Sequence, residues 1–394
     1  MQDVTSFPVF HTALIGAGAG GLFCAGSFNA RKIVLEQNDR PALKVRVSGG
    51  GKCNFSNRFV SAKDYLSASP HFCKSALAAF GPQDFLTLLR EHNIPFEERA
   101  EGQLFALRAW DIVHFLTERA QKANATILTG TRVQDVRQKD GLFILHTTRG
   151  TIRAHHVVLA CGGLSFPDLG GNNSAVKLAR SFGLDAVPQK PALCGLVFPK
   201  SLLGQFSALA GNSVTAEVKT GKMSFSGPLL FTHEGISGPA VLNASLYWEE
   251  GQEVAVNFLP EKNASALLYA QKNTARTFSA ALKNELPPKI TKAILAPLPD
   301  NLADASKTAL QQAARALNAF SFVPERSAGY TKAEVTAGGI ACTQIDPHTM
   351  ESKAVRGLFV IGEALDVTGR LGGFNLHWAW SSAMAAASKL RISF

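Results

Sequence analysis

The sequence predicts an α/β protein: a Rossmann-type dinucleotide-binding domain split by a long insertion. Three observations carry this. A glycine-rich turn, Gly16-Ala17-Gly18-Ala19-Gly20-Gly21, stands between a short apolar strand and an apolar helix. Two later apolar strands, in "VVLACGG" and "GLFVIGE", also end in glycine. Between them, residues 191–328 change character, first β-rich and then helical.

The first segment has a physical reason at each position. Residues 12–15 form a strand, a helix runs on to about Asn29, and "KIVLE" is a second strand ending at Glu36. Gly16 permits the tight turn, Gly18 lets the backbone meet a pyrophosphate, and Gly21 lets helix and strand pack closely. The helix N-terminus faces the phosphates, and Glu36 can accept from ribose hydroxyls. NAD and FAD share this fingerprint. Helices are then expected in "FCKSALAAF", "QDFLTLLREHN" and "AWDIVHFLTERAQKAN", followed by a meander through "ATILTGTRVQDVRQ", "LFILHTT" and "TIRAHHVVLACGG".

The insertion opens with candidate strands in "LCGLVFP", "NSVTAEVKT", "GPLLFTH" and "QEVAVNFLP", over residues 191–260. Residues 261–328 read as a small helical subdomain. The dinucleotide-binding domain is therefore expected to be discontinuous, residues 1–190 and 329–394.

Composition narrows the function. Of 394 residues, 46% are hydrophobic and 18% charged, an ordinary globular balance. No apolar run reaches the ~18 residues of a membrane span, and the N-terminus lacks the basic region of a signal peptide, so a cytoplasmic protein is expected. Cysteines 24, 53, 73, 161, 194 and 342 form no CxxC and no cluster with histidine. Neither a disulfide framework nor a metal site is expected. The formal charge of +10 favours a polyanionic partner such as nucleic acid, with a merely solvated basic face as the alternative.

The stretches "SGGGKCNFSN", "LLFTHEGISGPAVL", "EVTAGGI", "TMESKAVRGLFVIGEALDVTG" and "LGGFNLHWAWSSA" resemble the YhiN/BaiN-type flavoproteins, from Leu14 to about Ala386. The resemblance implies a two-dinucleotide-binding-type FAD domain with an inserted β-barrel and a small helical domain. It places Gly162, Gly163 and Gly362 where strands return to the cofactor. It also implies that Glu363 holds the ribityl chain and that the helix opened by Gly372, Gly373, Phe374 and Asn375 points at the flavin pyrimidine. Lys44, Ser48 and Val133 complete the expected cofactor contacts. Family members reduce carbon–carbon double bonds. The YhiN branch, which this chain resembles more, is similar to enzymes that make dihydrouridine in large-subunit (23S) ribosomal RNA. Arg46, Arg370 and His377 depart from the family pattern and add cationic character.

The loop Ser48-Gly49-Gly50-Gly51-Lys52-Cys53-Asn54 is not a P-loop, which would need glycine at 46 and Ser or Thr at 53. Its glycines would let backbone N–H groups approach the flavin or its phosphates. Saturating an enone needs a hydride, a proton for the α-carbon and a donor on the carbonyl oxygen. Cys53 is a candidate proton donor and Asn54 or Lys52 a candidate oxygen anchor. His233 in "FTHEGISGPA" is a second candidate acid. Packing roles for Cys53, His233 and His377 remain the alternatives. With one dinucleotide fingerprint filled by FAD, NAD(P)H is expected to bind transiently in the substrate cleft as electron donor, or another donor serves. Three functions stay open: an rRNA uridine reductase, a reductase of a small enone, and a non-catalytic flavin-containing RNA-binding or redox-sensing protein.

Overall fold

A computed structural model describes residues 7–391, and the chain divides into two compact units, Met1–Lys190 with Val335–Phe394, and Pro191–Glu334. In the first unit, strand β1 (Phe10–Ile15) lies at the centre of a sheet. It pairs in parallel with β2 (Lys32–Leu35) on one side and with Gly150–Leu159 on the other. Ala125–Leu128 extends the sheet beyond β2, and Leu358–Val360 pairs with the end of Gly150–Leu159. β1, β2 and the last three residues of Gly150–Leu159 are buried on nearly every position, because both faces of the sheet are covered there, as in a Rossmann sheet. The meander Val133–Lys139 and Leu142–Thr147 joins Gly150–Leu159 antiparallel, through Gly150–Ala154.

Helix α1 (Ala19–Ala25) ends earlier than the expected Asn29. Gly26 caps it, and a Cβ there would stand 2.9 Å from Arg119 of helix Ala109–Lys122. The helix is cut short where it packs closely against its neighbour. The final helix, Phe374–Arg391, buries Trp378 and Trp380 against this core. Trp380 stacks on Phe85 with centroids 4.9 Å apart and donates to the Phe55 carbonyl. A small antiparallel sheet of β3 (Asn54–Asn57), Gln103–Ala106 and Phe96–Glu98 is an element that periodicity did not reveal. Its strands have only three or four residues, too few for an alternation to register.

The second unit holds a seven-stranded antiparallel sheet, in order Phe320–Phe322, Val254–Asn257, Ser213–Thr220, Met223–Phe231, Gly235–Ser237, Leu196–Val197, Arg326–Ser327. Its first and last strands follow each other in the chain. Phe198, just beyond Leu196–Val197, meets Phe322 with centroids 5.0 Å apart, so the sheet is curled like a barrel. Helix Pro239–Tyr247 covers it. Helices Ala264–Gln271, Phe278–Ala281, Pro288–Ile294 and Lys307–Asn318 share one hydrophobic core with the strands. The return to the first unit comes at Val335 rather than at residue 329, because the Glu334 amide still donates to the Leu193 carbonyl. Among the described residues no helix is long and apolar enough to cross a membrane.

His377 is a core residue of the final helix, its Nδ1 2.9 Å from the Ser56 hydroxyl. Burial lowers its pKa from 6.5 to about 4, and burial lowers that of His156 to about 4 as well. Between these values the unfolded chain takes up protons that the folded chain refuses, so acid favours unfolding. Stability is expected to fall as pH drops from about 6.5 towards 4, by at most about 1.4 kcal/mol per pH unit for each group. Chemical denaturation across this range should show the slope, and His377→Asn should reduce it, leaving the share of His156.

Candidate functional site

The site is built where β1, β2 and Gly150–Leu159 end. Gly16 has φ +108°, and a Cβ on it would stand 2.4 Å from the Ala160 carbonyl oxygen. A Cβ on Gly21 would meet the Gly16 oxygen at 2.0 Å. Both glycines are therefore demanded by the fold. Gly18 is different: a Cβ there would meet nothing within 4 Å. The backbone N–H groups of Gly18, Ala19 and Gly20 find no acceptor among the described residues. Unpartnered donors facing open space suit the oxygens of a pyrophosphate. Glu36, buried at the end of β2, accepts from the Ala17 and Asn38 amides at 2.9 Å each. It fixes the loop, and its remaining lone pairs are free for a ribose hydroxyl.

A second group of residues comes together from four distant segments. The Lys44 ammonium donates to Glu363 at 2.7 Å. The other Glu363 oxygen accepts from the Thr336 amide at 2.9 Å. The Thr336 hydroxyl oxygen accepts from the amides of Leu164 and Ser165. Gly163 packs beneath, where a Cβ would come within 2.5 Å of Thr336 Oγ1 and 3.0 Å of Glu363. Gly162, at φ +71°, lies beside the same carboxylate. Gly362 is held to the final helix by Ser382 and Trp378. Lys44, Gly162, Gly163, Gly362 and Glu363 thus meet as a set. Thr336, which ties them together, was present in "EVTAGGI" but unremarkable there, because its role depends on contacts distant in the sequence.

The glycine loop is the unwinding end of helix α2 (Leu43–Gly51), whose φ/ψ leave the helical region at Ser48. Gly49, Gly50 and Gly51 have φ of +57°, +65° and +84°, conformations that glycine adopts without cost. A Cβ on Gly49 would press on Asn54 and Phe105, whereas Gly50 and Gly51 border open space. The Ser48 hydroxyl turns back to donate to Val45. Val133 is buried at the start of its strand, shortly after Thr131, whose amide donates to the Glu36 carbonyl.

Cys53 and Asn54 need correcting as catalytic candidates. Cys53 has no exposed surface, and burial pushes its thiol up to about 12. A thiol sealed in the core reaches no substrate. The Asn54 carboxamide is satisfied at every atom in the orientation that donates to the Ser56 and Leu104 carbonyls at 3.0 and 3.1 Å and accepts from Gly373 at 3.2 Å. It anchors the start of the final helix instead of a substrate oxygen. Asn57 helps, donating to the Gly372 carbonyl, and Asn375 turns back to bond both backbone groups of Gly369. Gly373 must be glycine, since a Cβ would lie 2.2 Å from the Ser56 oxygen. His233 lies in the second unit, exposed on the turn between Met223–Phe231 and Gly235–Ser237, with no side-chain partner among the described residues.

The free amides beside Gly18 and the acid at 36 fit the adenine dinucleotide of FAD. Gly18→Val should therefore fold, with the melting temperature of flavin-free wild-type protein, yet purify without FAD. Gly21→Val should fail to fold, because its side chain meets backbone. Flavin absorbance and thermal melting of the two variants separate these outcomes.

A family described as "HI0933-like protein Rossmann domain" matches residues 10–389. The ribosomal RNA dihydrouridine synthase of Escherichia coli is 38% identical over 391 residues, covering 97% of this chain and 98% of that protein. The enzyme of the same name from Haemophilus influenzae is 37% identical over 390 residues, covering 95% and 96%. A 3-dehydro-bile acid delta(4,6)-reductase from Clostridium scindens is 29% identical, covering 95% and 97%. Among solved structures, a quinol-fumarate reductase superposes with a TM-score of 0.50 at 16% identity, over 97% of this chain and 70% of that one. That last likeness is one of fold.

Proposed function

The chain belongs to the HI0933-like Rossmann family, and on that premise we propose that it is an FAD-dependent reductase of an activated carbon–carbon double bond, converting a uridine of 23S ribosomal RNA to dihydrouridine. The observation that carries the substrate is the full-length similarity to two ribosomal RNA dihydrouridine synthases, at 38% and 37%, against 29% for the bile acid reductase. The surplus of positive charge agrees with a polyanionic substrate.

FAD, when bound, supplies hydride to the carbon distal to the uracil carbonyl, and NAD(P)H is the expected source of its electrons. The chain's own residues must deliver a proton to the neighbouring carbon and hold the carbonyl oxygen. With Cys53 sealed and Asn54 engaged by backbone, His233 is the proposed proton donor. Its exposed ring carries no internal hydrogen bond that would have to break first. Lys52, half-exposed and 3.6 Å from Glu97, is the proposed donor to the carbonyl oxygen.

Rapid mixing of the reduced protein with ribosomal RNA tests both parts. RNA should reoxidise the flavin, and the product should carry two added hydrogens on one uridine. His233→Asn should slow this step by about 10² while flavin reduction and FAD content stay unchanged. Cys53→Ala should react at the wild-type rate. Reoxidation by small enones but not by RNA would favour the alternative substrate class, and a normal rate in His233→Asn would remove His233 from the mechanism.

A further inference from the structure

Trp110 is a large aromatic residue at the start of helix Ala109–Lys122, and 57% of it faces solvent. The Arg46 guanidinium lies over its ring, 5.3 Å from the centroid. Arg46 forms no ion pair with any described carboxylate. Phe59, 70% exposed, rests on Gly102, where a Cβ would stand 2.7 Å from the ring. These two exposed aromatics sit at opposite ends of one small sheet. Asn54 of β3 pairs with Phe105, and Asn57 pairs with Gln103. Phe59 therefore follows one end of the sheet, and Trp110 follows the other. Four residues of strand put the ends about 13 Å apart. The Phe59 end is also where Asn57 holds Gly372 and where Gly373 packs on Ser56, at the start of the final helix.

We propose that Trp110 with Arg46, and Phe59 at the far end of the same sheet, form a stacking platform for unpaired nucleotides of a single-stranded RNA, guiding the strand towards the start of the final helix. The proposal rests on the ribosomal RNA reading above. One ring face of Trp110 is engaged by a guanidinium, and the indole remains exposed enough for a base to stack on it. Between the two posts the charges compensate one another. Glu97 is paired with Arg99 and Lys52, and Glu98 with Arg58. Stacking, with Arg46 as the unpaired cation, is thus the interaction this surface offers. The unit that carries it holds 27 Lys and Arg against 19 Asp and Glu, most of the chain's positive surplus. That charge complements RNA and opposes a basic partner.

The test is fluorescence anisotropy of the FAD-loaded full chain with a labelled single-stranded RNA of about 16 nucleotides, titrated at several salt concentrations. Trp110→Ala should weaken binding by about 5- to 150-fold without changing the salt slope, and Trp110→Phe should restore most of it. Arg46→Gln should reduce the slope of log affinity against log salt by about 0.7. FAD content and melting temperature should match wild type, since both side chains lie at the surface. Wild-type affinity in Trp110→Ala, with ribosomal RNA still reduced at the wild-type rate, would overturn the platform and leave the substrate assignment intact. A wild-type protein that binds no RNA would overturn both.

Discussion

The carboxylate of Glu363 is the point on which the first unit converges. One oxygen takes the Lys44 ammonium, and the other takes the Thr336 amide. Through Thr336 it reaches the amides of Leu164 and Ser165, and the chain around it leaves room only for glycine at 163. The segment after β2, the turn after Gly150–Leu159, the returning strand Val335–Ile340 and the turn before the final helix are all registered by this one side chain. Its worth is geometric. A partly exposed ion pair adds at most about 1 kcal/mol. Three backbone amides, however, would lose their partners or their alignment if the network shifted. A chain that is interrupted for more than a hundred residues needs such a point to bring its two parts into one site.

The glycines divide into two physical kinds. At 16, 21, 163 and 373 an added Cβ would collide with the protein's own atoms, so these glycines serve the fold. At 18, 50 and 51 an added Cβ would meet nothing, so the protein itself does not demand glycine there for space. At 50 and 51 the left-handed backbone still favours it. At 18 the residue caps helix α1, a place that tolerates glycine, and the three unpartnered amides of residues 18–20 suit the approach of a ligand. The same letters in the sequence thus report two constraints, which the geometry separates.

Much of this was legible in the sequence where the signal is local. The turn at 16–21, the acid at 36 and the glycine-ended strands follow from backbone rules that act within a few residues. The insertion was visible as a change of periodicity, although its end was not, since residues 329–334 are held to it by backbone contact with Leu193 rather than by any periodic pattern. The roles of Cys53 and Asn54 were not legible. Both stand in a loop whose composition suggests chemistry, yet one is sealed in the core and the other is consumed by three backbone groups. Burial and hydrogen-bond partners arise from segments distant in the chain, Phe105 and Gly373 among them, and no window of sequence contains them. His377 follows the same rule: a polar residue on an apolar helix proved to be a core histidine held by Ser56.

The central claim is that the open amides at Gly18 and the cluster at Glu363 together form the seat of one FAD. The most direct measurement is calorimetric titration of flavin-free protein with FAD. The account predicts a single site per chain, and weaker binding in Glu363→Gln with the stoichiometry kept. Protein that stays colourless and releases no heat on adding FAD, while folded by thermal melting, would contradict it.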